Sequence, residues 1–201
     1  MSTSTTPLIV LCGAIGAGKD TVGAHLVKQH GFQTVSIAAP LKELAIHLFG
    51  LERRHAFGTQ ADKSEPLDHV RGPDGAQRTP RQIIEHLGTE GVRAIDPDTW
   101  LKLSLRTITA ALFDGTPVGV TDARFPNEFE AYQTLGAEVW LVEKTGGVEE
   151  FTGHASDTAW REYLAAHAPD RVLRAAPGDL ATLHTAATQY LGLRHDARPH
   201  T

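Results

Sequence analysis

The chain has little of several features whose scarcity limits what it can be. It has one cysteine, Cys12, so no disulfide can form within the chain and a reducing compartment is expected. No apolar run approaches the length of a membrane-spanning helix. Lys and Arg number 19 against 24 Asp and Glu, which gives a formal net charge of −5. We therefore expect no membrane association and no DNA or RNA binding, because a general nucleic-acid binder normally carries a basic surface.

The length and the two ends suggest a simple organisation. The chain has 201 residues, enough for one well-buried domain, and we treat 1–201 as one domain. Met1–Thr6 is small and polar and lacks the basic region of a signal peptide, which favours a cytoplasmic location. We expect these residues to fray and residues 194–201 to form a flexible tail. Cys12 has apolar neighbours, which favours an inert core thiol.

The most informative pattern lies near the N-terminus, where an apolar run meets a glycine-rich segment and a lysine. Leu8–Cys12 is typical of a buried strand, and residues 13–21 read G-A-I-G-A-G-K-D-T. This is the layout of a phosphate-binding P-loop that leads into a helix. Glycine permits positive φ, so the N–H groups can turn inward to an anion, and Lys19 can reach the β- and γ-phosphates of a nucleotide. The pattern predicts a site for ATP or GTP.

The loop departs from the usual motif at its last position. Asp20 stands where the motif has Ser or Thr, whose hydroxyl binds Mg²⁺, and Thr21 comes one residue later. A carboxylate suits a hard cation, so Asp20 and Thr21 are both candidate Mg²⁺ contacts. The alternative is a loop that binds sulfate or nothing in particular. The predicted ATP-binding residues are Gly13, Ala14, Ile15, Gly16, Ala17, Gly18, Lys19, Asp20 and Thr21.

Short apolar segments alternate with helical patterns along the rest of the chain. Strands are predicted at residues 8–12, 32–37, 117–121, 138–142 and 171–173. Helices are predicted from the loop to Gly31 and at 40–49, 80–87, 100–113, 126–135, 155–168 and 180–191. Residues 52–78 are polar and are predicted to form a long loop or a small excursion. This alternation predicts an α/β fold, a parallel five-stranded sheet with helices on both faces.

Charged residues follow the predicted strands at the edge where such sheets bind ligands. Asp122 and Arg124 come directly after the strand at 117–121. Asp122 is a candidate contact for Mg²⁺ or for an acceptor, and its alternative role is to cap the helix that starts at Pro126. Arg124 can clamp a phosphate with two N–H groups.

A second basic group lies outside the P-loop. It comprises Lys42, Lys63, Arg81 and Arg93, and as a set it predicts a pocket for an acceptor phosphate. Each of them alone would be read as a solvated surface charge. Trp100 follows the group and can either stack on a base or anchor a helix in the core.

A glycine-rich approach to a helix predicts a lid over residues 144–170. Lys144, His154 and Arg161 lie in this segment, and Lys144 or Arg161 would supply the cation that a lid brings to a γ-phosphate. A surface hairpin or helix without a role would give the same pattern. The histidines show no metal-ligand spacing, so no zinc site is expected.

Several of these strings together resemble one family. They are the P-loop ending in GKDT, SIAAPLK at 36–42, Arg81 with LGTE at 87–90, Arg93 and Trp100, TDARFPNE at 121–128, and HASD at 154–157. They resemble the deoxynucleoside monophosphate kinases of tailed bacteriophages, and the similarity runs from about residue 8 to about residue 191.

The resemblance implies a fold and an activity. The fold would be a P-loop kinase three-layer sandwich with a small lid, and residues 38–105 would bind the acceptor. The reaction would transfer the γ-phosphoryl group of ATP, with Mg²⁺, to a deoxynucleoside monophosphate. Lys19 would bind the ATP phosphates. The other carried-over residues, Asp122, Arg124, Arg81 and Arg93, would face the acceptor phosphate or the transferred group. A homodimer is a candidate assembly, and a phage origin would place the protein in the host cytoplasm.

Two departures and two alternatives stand beside the resemblance. Asp157 stands where the family more often has Glu, and residues 171–178 lack the asparagine that usually follows the strand. One alternative is another small-molecule P-loop kinase, such as a dephospho-coenzyme A kinase or a sugar kinase. The other is a non-catalytic nucleotide-binding regulator. A kinase of DNA ends is disfavoured by the acidic net charge.

Overall fold

The computed structural model describes residues 6–146 and 153–196, without the side chains of 193–196. The strands are β1 (Leu8–Cys12), β2 (Gln33–Val35), β3 (Leu67–Arg71), β4 (Gln77–Arg78), β5 (Val118–Val120), β6 (Glu138–Lys144) and β7 (Arg171–Ala175). The helices are α1 (Lys19–His30), α2 (Ala39–Phe49), α3 (Arg53–Phe57), α4 (Gln60–Ser64), α5 (Pro80–His86), α6 (Thr99–Phe113), α7 (Pro126–Thr134), α8 (Ala159–Ala166) and α9 (Leu180–Asp196). A π-helical stretch, Leu87–Arg93, continues α5, and a 3₁₀ turn, Ala155–Asp157, precedes α8.

The main sheet has five strands in the order β2-β5-β1-β6-β7, and every neighbouring pair is parallel. The central strand β1 pairs with β5 on one side and with β6 on the other. All five of its residues are buried, which explains why its sequence is uniformly apolar rather than alternating. The predicted α/β fold with a parallel five-stranded sheet is confirmed.

The chain folds into two compact units. The sheet unit comprises the residues up to Ser36 and those from Leu105 onward, and it holds the five parallel strands. The insert unit is Ile37–Ser104 and holds the antiparallel hairpin of β3 and β4. Each unit has its own apolar core. Core residues of the sheet unit include Ile9, Leu11, Val22, Leu26, Trp140, Val142 and Leu173, and those of the insert unit are Ala45, Leu51, Leu67 and Ile83.

The predicted helix ends at glycines are found in the structure. Helix α1 is closed by Gly31 at φ 68°, whose N–H donates to the Leu26 carbonyl, and α2 is closed by Gly50 at φ 61°. These left-handed positions end a helix at little cost when the residue is glycine. Helix α5 is capped by Thr79, whose hydroxyl accepts from the Gln82 N–H.

The segment 52–78 is more ordered than the sequence predicted, since it contains α3, α4, β3 and β4. Its short helices are held by polar contacts rather than by an apolar stripe. Arg54 pairs with Glu52, Asp62 and Glu65 at 3.0, 3.2 and 2.6 Å. Hydrophobic periodicity does not report such contacts. Of the two alternatives predicted for this segment, the long loop was wrong, and the small excursion agrees with the structure.

Other boundaries differ from prediction by a few residues. Strands β6 and β7 each run two residues further, to Lys144 and Ala175, and Arg174 pairs with Glu143 across them at 2.8 Å. The helix predicted at 155–168 is divided into the 3₁₀ turn and α8, and α9 continues to Asp196.

Parts of three predicted segments lie outside the described residues: the N-terminal residues 1–5, the tail residues 197–201 and the lid residues 147–152. Among the described helices, none combines the length and the apolar character needed to cross a membrane.

Candidate active site

The P-loop wraps from the end of β1 to the start of α1 through three glycines with positive φ. Gly13, Gly16 and Gly18 have φ of 139°, 68° and 106°. At Gly13 a Cβ atom would overlap the carbonyl oxygen of Val142 on β6, so the loop lies directly against the neighbouring strand. The predicted use of these glycines for left-handed backbone is confirmed.

Lys19, the first residue of α1, is turned back into the loop. Its Nζ donates to the carbonyl oxygens of Gly13 and Ala14, each at 2.8 Å. Burial, together with the positive charge of Arg124, lowers the pKa of Lys19 to about 8. The charged form of the ammonium group is thus destabilised by burial, and a bound anion would offset this unfavourable free energy.

The loop forms one wall of a pocket in the sheet unit. The residues that line it are Gly13, Ala14, Ile15, Lys19, Ala123, Arg124, Ser156, Asp157, Trp160 and Arg161. They come from the ends of β1 and β5 and from the segment around α8, so the carboxyl edge of the sheet brings them together as expected. Lys19, Arg124 and Arg161 give this pocket its positive charge, which suits a phosphate.

Asp122 follows β5 and lies next to the end of β2. Its Oδ2 accepts a hydrogen bond from the Ser36 hydroxyl at 2.6 Å. Its negative charge raises the pKa of Lys19, although less than burial lowers it, so the carboxylate lies near the P-loop lysine. Ser36 was not singled out as a site residue, because the strand was predicted to run to residue 37 and the structure ends it at Val35.

Arg124 is anchored at both its backbone and its side chain. The N–H groups of Arg124 and Phe125 donate to the buried Glu128 carboxylate at 2.8 and 3.1 Å. The Nη1 of Arg124 donates to the Ser156 carbonyl, the Ser156 hydroxyl and the Asp157 carboxylate at 3.3, 3.2 and 3.1 Å. The sequence placed Arg124 at this edge but did not identify these anchors.

The three predicted lid residues lie in different settings. Lys144 is exposed at the end of β6, and its Nζ is 3.3 Å from the place where a Cβ on Gly16 would stand. The Nδ1 of His154 accepts from the Ser156 N–H at 3.2 Å and so caps the 3₁₀ turn. Arg161 stacks on the Trp160 ring, with its Cζ 4.5 Å from the ring centroid. Whether this segment closes over a ligand stays a prediction.

The second basic group lies in the insert unit, together with Trp100. Lys42 lies over the Phe57 ring with Nζ 5.3 Å from its centroid, and Arg81 donates to the Gln60 side chain. Lys63 and Arg93 are half-buried. Trp100 is buried and its indole N–H donates to the Gly88 carbonyl at 3.3 Å, as a helix anchor would. A common acceptor pocket for these residues stays a prediction.

The candidate Mg²⁺ contacts are Asp20, which is exposed on the first turn of α1, Thr21, which is half-buried, and Asp122. In residues 6–146 and 153–196 no three His, Cys, Asp or Glu side chains group as a metal site would require. Mg²⁺ in nucleotide sites is usually held by one or two side chains together with phosphate oxygens, and these oxygen donors fit that arrangement.

Cys12, at the end of β1, is buried, and its Sγ donates to the Trp140 carbonyl oxygen at 3.7 Å. Burial raises the pKa of this thiol to about 12. The thiol is therefore part of the core of the sheet unit, although it directly precedes the loop.

The lowered pKa of Lys19 predicts that binding of a phosphate at the loop would depend on pH. Lys19 is charged below about pH 8 and becomes neutral above it, so we expect the dissociation constant of ATP to rise about tenfold between about pH 7 and about pH 9. Equilibrium titration of ATP across this range measures the effect. The Lys19→Arg variant keeps its charge throughout, and its ATP affinity should not change with pH over the same range. An equal pH dependence in both proteins would contradict the assignment.

Comparisons with known proteins locate the fold. No protein-family model and no curated protein matches the chain. Among solved structures, dephospho-CoA kinase from Campylobacter jejuni is 14% identical with a TM-score of 0.51, and the alignment covers 95% of this chain and 98% of that one. A structure from Thermus thermophilus is 16% identical with a TM-score of 0.50 over the same shares of the two chains. The chain thus has the α/β fold found in P-loop kinases such as dephospho-CoA kinase.

Proposed function

We propose that this protein is an ATP-dependent phosphotransferase that acts on a small molecule. The observation that carries the proposal is the pocket beside the P-loop, which Lys19 and Arg124 both line. Burial, and after it the positive charge of Arg124, lowers the pKa of Lys19, so the two cations interact unfavourably. Such an arrangement is costly in an empty site and becomes favourable when an anion lies between them.

In this proposal, residues of the sheet unit have different roles in phosphoryl transfer. Bound ATP supplies the γ-phosphoryl group. The loop N–H groups and Lys19 hold its phosphates, and Arg124 offsets the charge that two approaching anions bring together. Asp20, Thr21 and Asp122 are the oxygen donors for Mg²⁺. The exclusion of water from this pocket would protect ATP from hydrolysis.

The first candidate acceptor is a deoxynucleoside monophosphate. It is favoured by the strings TDARFPNE at 121–128 and LGTE at 87–90, flanked by Arg81 and Arg93, which resemble the phage kinases. The basic residues Lys42, Lys63, Arg81 and Arg93 would receive its phosphate, whereas Trp100 is buried as a helix anchor. These residues all belong to the insert unit.

The second candidate acceptor is dephospho-coenzyme A. The observation that favours it is the fold, which is similar to that of dephospho-CoA kinase over 95% of this chain. The fold supports this candidate more directly than the first, whereas the motifs support the first. Both acceptors present a hydroxyl or phosphate nucleophile to the γ-phosphorus, so the same Lys19 and Arg124 would serve either one.

The acceptor can be identified by measuring ADP release with ATP and Mg²⁺. Each of the four deoxynucleoside monophosphates would be offered separately, with AMP, dephospho-coenzyme A and gluconate in parallel. Turnover with deoxynucleotides alone would support the first candidate, and turnover with dephospho-coenzyme A would support the second. The Lys19→Ala variant controls for contaminating kinases. ATP binding without ADP release from any acceptor would contradict the proposal and favour a regulator.

A further inference from the structure

Among the described residues, the guanidinium group of Arg124 binds the protein through one nitrogen, Nη1. Its three side-chain hydrogen bonds all leave from Nη1, toward Ser156 and Asp157. Across residues 6–146 and 153–196, Nε and Nη2 donate to no described atom. A guanidinium group with an unused edge can bind a phosphate through two parallel N–H bonds.

One partner of Nη1 is the buried carboxylate of Asp157. The Asp157 side chain is 2% exposed, whereas that of Arg124 is 36% exposed. A carboxylate is stable in such a place only when it is paired and hydrogen-bonded. Two further contacts fix Asp157 in the backbone: the His154 side chain caps its 3₁₀ turn, and the Trp160 indole N–H donates to its carbonyl at 2.9 Å. Asp157 is therefore the rigid member of the pair.

Arg124 belongs to the same pocket as Lys19. Arg124 and Lys19 both line it, and Asp157 lines it from the side of α8. Glu128 fixes the backbone of Arg124 from a different direction, through α7. With its backbone held by Glu128 and Nη1 held by Asp157, the guanidinium group has little freedom left to rotate. It is oriented before any ligand arrives, which lowers the entropic cost of binding a phosphate.

We propose that Asp157 is a positioning residue for phosphoryl transfer, holding Arg124 by Nη1 so that the opposite edge meets a phosphoryl oxygen bound at Lys19. This inference rests on the proposed function and deepens it. It assigns a role to a side chain of the predicted lid segment that acts through Arg124 rather than on the substrate. It also joins residues 156–157 to the reaction, so the orientation of Arg124 depends on the placement of that segment.

A double-mutant cycle between Asp157 and Arg124 tests the role. Asp157→Asn should lower kcat by about tenfold to a hundredfold, as a displaced catalytic group does, with a smaller change in the KM of the acceptor. Asp157→Glu keeps the charge pair and should restore kcat to within about threefold of the wild type. In an Arg124→Ala background, Asp157→Asn should change kcat by less than about twofold.

The same variants separate this role from simple structural support. If Asp157→Asn lowers kcat by the same factor with and without Arg124, or if it leaves kcat unchanged, the positioning role is wrong. Should Asp157→Asn fail to fold in thermal unfolding, Ser156→Ala replaces it, since it removes another acceptor of Nη1 without removing a charge. The loss of kcat it causes, about threefold, should again vanish in the Arg124→Ala background, and a loss that persists there would overturn the proposal.

Binding of ATP keeps the test independent of turnover. If the wild type phosphorylates none of the acceptors, the proposed function fails, and the cycle is then measured on the dissociation constant of ATP. Asp157→Asn should weaken ATP binding about tenfold in the presence of Arg124 and not in its absence. Equal weakening in both backgrounds would overturn the positioning role itself.

Discussion

Lys19→Ala should lower kcat/KM by about a thousandfold while the unfolding temperature stays close to that of the wild type. In the proposed reaction the ammonium group is the charge that the loop brings to the transferred phosphate, and no other lysine lines the pocket among the described residues. Within the described part of the chain, its own hydrogen bonds go only to the loop carbonyls of Gly13 and Ala14, so we expect its loss to leave the core intact. Steady-state ADP release and thermal unfolding measure the two quantities.

The matched control for this variant is Lys28→Ala. Lys28 lies on the same helix, α1, but is exposed and far along it from the loop. Its removal should leave kcat/KM within about twofold of the wild type. If Lys19→Ala were as active as Lys28→Ala, Lys19 would not bind the transferred phosphate and the P-loop assignment would be wrong.

Gly13→Ala should be the most destabilising single methyl addition in the sheet unit. The new Cβ would overlap the Val142 carbonyl oxygen, which belongs to the backbone of β6 and cannot rotate away. The residue would also be left at φ 139°, a conformation that alanine rarely adopts. Overlap and strain together should lower the free energy of unfolding by about 4 kcal/mol, measured by denaturant titration.

Gly136→Ala separates strain from overlap. Gly136 also has positive φ, 82°, but nothing lies within 4 Å of the place where its Cβ would stand. That substitution should cost only about 1 kcal/mol, the ordinary penalty of the left-handed region. Similar losses for Gly13→Ala and Gly136→Ala would show that the P-loop does not pack against β6 as described.

The sequence predicted those parts of the site that depend on neighbours along the chain. The glycines of the loop, the lysine that opens α1, and the acid and arginine after β5 could all be read from local patterns. Strand order could not, because it depends on pairing between distant segments. The anchors of Arg124 show the same limit, since Asp157 lies 33 residues away in the chain. Only Glu128 had a local signal, as an acid in the first turn of the helix that begins at Pro126.

The sequence patterns predicted less of the structure of the insert unit. Four basic residues were grouped from the sequence alone, without any evidence that they are close in space. The structure places all four in one compact unit: Lys42, Lys63, Arg81 and Arg93. The helices α3 and α4 were missed because each has five residues, too few for a periodic apolar stripe to be recognised. The π-helical stretch at 87–93 carries the LGTE string and has no compositional signature.

The buried thiol of Cys12, at the end of β1, can be used to measure how often the sheet opens. With a pKa near 12, the Cys12 thiol is almost wholly protonated at neutral pH, and the central strand shields it from solvent. A thiol reagent can therefore react with Cys12 only when the strands around it open locally. The rate of that reaction measures the frequency of this opening. The strand leads directly into the P-loop. Slower alkylation of Cys12 in the presence of ATP would therefore measure how strongly ATP binding stabilises the centre of the sheet against opening.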